Sequence, residues 1–161
     1  MDRDGEFADY FAARADAMRG TAYLLCGDWH RAEDLVQTAF VKLYRVWNRV
    51  SRRDRLDAYT RQIVVRAFLD ETRRGFFHRE RVTSQVADGS APEYGPDDRV
   101  VLMAALARVP ARQRTALVLR FWEDLSVEET AAAMRCSVGT VKSQTSRGLS
   151  ALRALLPAPT R

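Results

Sequence analysis

The stretch Leu125-Ser-Val-Glu-Glu-Thr-Ala-Ala-Ala-Met-Arg-Cys-Ser-Val-Gly-Thr-Val-Lys-Ser-Gln-Thr-Ser-Arg-Gly-Leu-Ser-Ala-Leu152 decides the fold. Ser126 followed three residues later by Glu129 forms a capping box, in which hydroxyl and carboxylate each satisfy an orphan amide at a helix start. A short helix is expected over Val127 to Met134, with Ala131 small enough to let a second helix cross closely. Arg135-Cys136 makes the turn, and Ser137 caps the second helix. In that helix Val141, Leu149 and Leu152 point inward, while Thr140, Lys142, Ser143, Gln144 and Arg147 point outward. The segment reads as helix-turn-helix. Its outward residues suit a major groove: Gln144 matches adenine, Arg147 or Lys142 matches guanine or phosphate, and the hydroxyls of Thr140 and Ser143 serve either. The helix start at Ser137 also favours a phosphate. Any one of these residues fits an ordinary solvated helix face equally well; their coincidence with the caps and the small crossing residue favours groove binding.

Working outward, Asp98 opens a stripe of Val101, Leu102, Ala105, Leu106 and Val109, and Pro110 suits the first turn of another helix. That helix carries Ala116, Leu117, Leu119 or Val118, and Phe121 on its apolar side. Residues 82–97 hold two Gly and two Pro without periodicity and read as a flexible linker. Upstream of it the chain is helical again. Phe7, Phe11, Met18 and Leu25 recur at helical spacing until Gly27-Asp28 interrupts them, and Asp28 can cap the next helix. There Ala32, Leu35, Val36, Ala39, Phe40, Leu43 and Trp47 follow a buried-stripe rhythm. An arginine-rich loop, Asn48 to Arg55, leads to a third helix from about Asp57 to Arg74, with Ile63, Val64, Ala67 and Phe68 inward. The expected fold is all-α, with an N-terminal bundle over 1–81, a linker over 82–97 and a helix-turn-helix module over 98–161. The sequence leaves open whether the two modules pack together.

Charge follows the same division. Residues 1–82 hold sixteen basic and thirteen acidic side chains, 83–97 hold three acidic and no basic, and 98–161 hold ten basic and five acidic. Of 26 basic residues 24 are Arg, a residue suited to phosphate and guanine, although a GC-rich genome produces the same excess. Cys26 and Cys136, with His30 and His78, fit neither a disulfide framework nor a zinc spacing, and each cysteine reads as a small buried hydrophobe. No nucleotide-binding, metalloprotease or serine-hydrolase motif occurs, so no catalytic residue, metal or cofactor is assigned. The charged N-terminus lacks a signal-peptide apolar stretch and no run is long enough to span a bilayer, so a cytoplasmic protein is expected.

The segment from Glu128 to Ser143 resembles region 4 of bacterial sigma factors. Asp34-Leu35-Val36-Gln37 followed by Ala39-Phe40 resembles their region 2.2, and Tyr59 to Arg74 is similar to regions 2.3–2.4. Region 2, a short linker and region 4 in that order resemble the extracytoplasmic-function group. Thr21 to Asp28 and the Lys142-Ser-Gln-Thr-Ser-Arg147 run look like its sigma-E-like branch.

The resemblance implies that Asp34, Leu35, Gln37, Thr38, Val41 and Tyr44 dock on core RNA polymerase. It implies that Arg52, Arg53, Arg55 and Arg61 neutralise phosphates of melted −10 DNA, whose flipped bases meet Tyr59, Gln62, Arg66 and Asp70. Tyr59 reads equally well as a core residue, and Arg73-Arg74 as a favourable helix C-terminus. The −35 duplex would meet Ser137, Thr140, Lys142, Ser143, Gln144 and Arg147. Partners implied are core polymerase, promoter DNA and an anti-sigma factor, with no small-molecule substrate. Three departures from the family pattern stand out. Arg66 replaces a usual Asn, and Thr145 a usual larger apolar residue. Arg135 replaces a frequent Gly, where a left-handed conformation costs about 1 kcal/mol, so a turn of another shape is expected. The competing reading is a stand-alone helix-turn-helix regulator, which accounts for 98–157 but gives the Asp34–Gln37 block no purpose.

Overall fold

The computed structural model describes residues 2–49, 55–79 and 98–157. The expectations placed on Arg52, Arg53 and the 82–97 linker fall outside these residues. Seven α-helices are described: α1 (Arg3–Cys26), α2 (Trp29–Arg45), α3 (Leu56–Arg79), α4 (Asp98–Arg108), α5 (Ala111–Leu117), α6 (Val127–Met134) and α7 (Val138–Leu155). A 3-10 turn, Trp47–Arg49, comes after α2, and a widened π turn, Val118–Trp122, comes after α5.

Local chemistry sets the helix ends. The Asp2 carboxylate accepts the Asp4 amide at 3.1 Å to start α1, and Gly27 ends it at φ 75°, a left-handed position that costs glycine nothing. Asp28 then caps α2 by accepting the His30 amide at 2.8 Å. The stripe from Ala32 to Leu43, with Trp47 beyond it, is buried as its spacing predicts. Phe7 of α1 meets Phe40, Tyr44 and Trp47 edge to face, which closes α1 on α2 at one end. Tyr10 donates its hydroxyl to Asp57 at 2.8 Å and ties α1 to the start of α3. Half-burial pushes its phenol up to about 12.

In the C-terminal module α6 and α7 form the helix-turn-helix, backed by α4 and α5. The capping box is complete: Glu129 N donates to Ser126 Oγ at 3.0 Å, and Ser126 N to Glu129 Oε1 at 2.9 Å. Ser137 caps α7 by accepting the Thr140 amide at 3.0 Å. Gly148 lies buried where α7 crosses α5, its Cα so near that an added Cβ would lie 3.1 Å from Leu117 and 3.2 Å from the Gln113 carbonyl.

The modules pack against each other. One continuous apolar core joins Met18, Leu25, Val64 and Phe68 of the first to Val109, Leu117, Leu119 and Met134 of the second. Four expectations are corrected by this arrangement. Val65 and Leu69 are buried as well as Val64 and Phe68, because α3 is covered on two sides. α3 also runs on to Arg79 rather than ending near Arg74. Phe121 and Leu102, placed in inward stripes, are 62% and 44% exposed; at Phe121 the π turn has rotated the side chains out of the α-helical stripe. The turn keeps its left-handed residue: Arg135 sits at φ 54°, ψ 50°.

Candidate polymerase and nucleic-acid interfaces

α2 presents one face away from the core. Asp34, Gln37, Thr38 and Val41 are exposed on it, Val41 to 52%. Tyr44 is also exposed at the surface, its hydroxyl donating to Asp4 at 2.7 Å, with the Arg3 guanidinium 4.6 Å above its ring. That bond to Asp4 raises the Tyr44 phenol above its ordinary value. Leu35 differs from the other five. It is 4% exposed, so its side chain serves the core and not the face. Gln37 donates to Glu33 at 3.2 Å, and Glu33, held below the usual carboxylate range chiefly by its bond from Arg19, anchors α2 to α1.

α7 projects its polar set as the spacing requires. Lys142, Ser143 and Arg147 are exposed, and Thr140 and Gln144 half-buried. Val141 is fully buried beneath them and fixes the rotation of the helix. The Thr145 hydroxyl donates to the Val141 carbonyl at 2.7 Å, which satisfies it within the helix. Gln144 and Arg147 line a groove of about 530 Å³ together with Arg73 of α3 and Arg112 of α5. Two of the three guanidiniums that converge there lie outside the helix-turn-helix, which sequence spacing alone does not reveal.

The α3 face is arranged differently. Tyr59 is 37% exposed, so it is a surface residue, and Asp70 and Arg55 are exposed too. Arg61, Gln62 and Arg66 are half-buried, because the C-terminal module lies against them. Arg61 Nε donates to Glu123 at 3.1 Å. Gln62 Nε2 and Arg66 Nη2 both donate to the Ala132 carbonyl, at 3.3 and 3.2 Å. Burial, and then the nearby Arg135 charge, lower the Arg66 guanidinium from its ordinary value.

Sequence reasoning also misses an apolar groove of about 320 Å³ lined by Leu24, Leu102, Met103, Leu106, Phe121 and Trp122. Trp122 is 63% exposed; a pair of adjacent aromatics after a buried helix is the available signal. Cys26 and Cys136 are free and half-buried, and burial pushes the Cys26 thiol up. Among the described residues no cluster of His, Cys, Asp and Glu could hold a metal ion, and no helix is long and apolar enough to cross a membrane.

Two helical modules, one of them a capped helix-turn-helix with its polar face in solvent, define a DNA-binding protein of sigma-factor architecture. Residues 11–75 match the Sigma-70 region 2 family and residues 99–152 match Sigma-70, region 4. The chain is 39% identical over 154 residues to an RNA polymerase sigma-E factor of Streptomyces avermitilis, covering 92% of this chain and 83% of that one. It is 28% identical over 171 residues to the ECF RNA polymerase sigma factor SigW of Bacillus subtilis, covering 92% and 89%. Among solved structures, the sigma factor RpoE in complex with the anti-sigma factor NepR from Bartonella quintana is similar, with TM-score 0.71, 26% identity and coverage of 93% and 96%. The chain belongs to the sigma-70 family, as an extracytoplasmic-function sigma factor that directs promoter-specific transcription initiation with core RNA polymerase. The family is one of non-catalytic initiation factors.

Proposed function

We propose that residues 1–81 bind core polymerase and capture melted −10 DNA, that residues 98–161 read the −35 element as duplex, and that 82–97 span the gap. The observation that carries this assignment is the α7 face, where Lys142, Ser143 and Arg147 stand in solvent above a fully buried Val141. Base edges in a major groove need such a rigid helix with free donors. Ser137 and Thr140 serve a phosphate at the helix start, and Gln144 and Arg147 carry base discrimination. On α2, Asp34, Gln37, Thr38, Val41 and Tyr44 form the polymerase-docking surface, with Leu35 holding the helix in place from below. On α3, Tyr59, Arg61, Gln62, Arg66 and Asp70, with Arg52, Arg53 and Arg55 from the segment before it, take the single strand. This chain performs no chemistry of its own; nucleotide transfer belongs to the polymerase. It works in the cytoplasm, and by analogy with RpoE held by NepR an anti-sigma protein restrains it.

Run-off transcription with purified core polymerase on a pool of genomic promoter fragments tests this. Chain-dependent starts downstream of a shared two-element motif are expected. Gln144→Ala with Arg147→Ala should then cost roughly 2–6 kcal/mol on the −35 duplex, from about 1–3 per base contact. Silence with core polymerase, together with tight binding of a palindromic duplex by the chain alone, would instead establish a stand-alone regulator.

A further inference from the structure

The middle of the α3 face assigned to the melted strand, at Arg61, Gln62 and Arg66, is covered by the protein's own C-terminal module, while Tyr59 and Asp70 stay exposed. Glu123, at the end of the π turn, accepts from two directions at once: the Thr21 hydroxyl of α1 through Oε1 and the Arg61 guanidinium of α3 through Oε2. The Arg61–Glu123 pair is largely withdrawn from water, with side-chain exposures of 13% and 17%. A pair this dry, with its second carboxylate oxygen also bonded, holds far better than a surface ion pair. Next to Arg61 on α3, Gln62 and, just over a turn further on, Arg66 both donate to the Ala132 carbonyl near the C-terminal end of α6. These are cationic and amide donors that a phosphodiester would otherwise take.

We propose that this packing is a self-inhibited state of the free chain, latched by Glu123, in which region 4 denies the −10 strand access to Arg61, Gln62 and Arg66. The proposal rests on the assignment of that α3 face to the melted strand. Arg61, Gln62 and Arg66 are half-buried beneath the C-terminal module, so that module and a nucleotide cannot both occupy their part of the face. The latch is also built to open. Arg66 Nε is buried without a hydrogen-bond partner among the described residues, and Arg66 faces a like charge in Arg135; an incoming phosphate relieves both. Meanwhile Lys142, Ser143 and Arg147 remain in solvent. The closed chain therefore keeps its duplex-reading residues while withholding the strand-capturing ones.

The test compares the full chain with Glu123→Ala, Thr21→Val and Asp124→Asn. Asp124→Asn makes the same change in charge as Glu123→Ala at an exposed neighbour, and controls for general attraction to DNA. Small-angle scattering reports opening, against a compact radius of gyration of about 15 Å for this length. Binding of a fluorescein-labelled 12-nucleotide single strand carrying the −10 element reports access. Glu123→Ala is expected to raise the radius of gyration and tighten strand binding roughly tenfold, the factor one charged hydrogen bond carries. Thr21→Val, isosteric and on another helix, should move both in the same direction by less, and Asp124→Asn should move neither. Overturning results are an unchanged radius in folded Glu123→Ala and Thr21→Val, opening without a gain in strand affinity, or an equal gain in Asp124→Asn. The α3 assignment is read separately: Arg61→Ala assayed in holoenzyme should impair promoter opening whether or not the latch exists.

Discussion

At Gly148 the recognition helix lies tight against its scaffold, and replacing the glycine with alanine sets two effects of similar size against each other. In an open helix interior Gly→Ala gains about 1 kcal/mol. Here the new methyl would lie 3.1 Å from both Cγ and Cδ1 of Leu117 and 3.2 Å from the Gln113 carbonyl oxygen. Ordinary carbon contacts need about 3.5–4.0 Å, so the methyl overlaps its neighbours by several tenths of an ångström. Leu117 is 5% exposed and cannot swing aside, and the carbonyl belongs to the backbone of α5. Overpacking of this kind costs about 1–3 kcal/mol. The balance is a net loss of about 1 kcal/mol, measured by urea unfolding, or about 2–4 °C in Tm for a chain this size. Gly20 provides the comparison, because it too lies inside a helix but nothing stands within 4 Å of its Cβ position. Gly20→Ala should stabilise by about 1 kcal/mol. If Gly148→Ala stabilises as much as Gly20→Ala, the close crossing of α5 and α7 is not as described.

Arg135→Gly should stabilise the second module by up to about 1 kcal/mol in thermal unfolding, since a left-handed residue with a Cβ is replaced by one without; a loss of stability would mean that the guanidinium matters more than the backbone. Ser126→Ala should cost about 1 kcal/mol by removing the cap of α6. Glu129, lowered from the ordinary carboxylate value chiefly by the Ser126 amide, contributes stability that is complete above the usual Glu pKa of about 4.3 and fades as pH falls below it. Glu129→Gln should therefore flatten the acid limb of a Tm-versus-pH curve without changing its alkaline limb. Asp34→Lys with Gln37→Ala should weaken core-polymerase binding in a pull-down titration while shifting unfolding by no more than about 0.5 kcal/mol per site; unchanged affinity would remove α2 from the docking surface.

Features set by neighbours in the chain are legible in the sequence. The six-residue stripe of α2, with Trp47 beyond it, packs against helices on both sides and is buried as its spacing requires. Asp28, Ser126 and Ser137 are caps because each bonds an amide two or three residues away. Features that depend on distant partners are not legible. Val65 and Leu69 are buried because helices distant in the chain cover α3 on two sides, and Arg61 meets Glu123 across 62 residues. Leu35 combines a stripe position with a family docking position, and only its packing shows that the core claims it. The Arg135 turn departs from its expected shape because a penalty of about 1 kcal/mol is small beside the packing of α6 on α7. The outward residues of α7 are legible as a set, whereas their meeting with Arg73 and Arg112 is not.

The π turn from Val118 to Trp122 makes the bonding pattern there as consequential as the identity of its residues. Its Glu123 N to Val118 O bond, 3.0 Å, spans one residue more than an α-helical bond does. In an α-helix each residue advances the side chain by about 100° around the axis. Holding the same residues in α-helical bonds throughout would turn Phe121, Trp122 and Glu123 by up to about that angle relative to α5. The apolar groove and the contact with Arg61 would be lost in one step, with every one of their side chains still present. Deleting Arg120 would instead make the same bond an α-helical one and leave the side chains after it close to where they stand, so a one-residue change in length here is absorbed by the turn and is not passed on to the surface it carries.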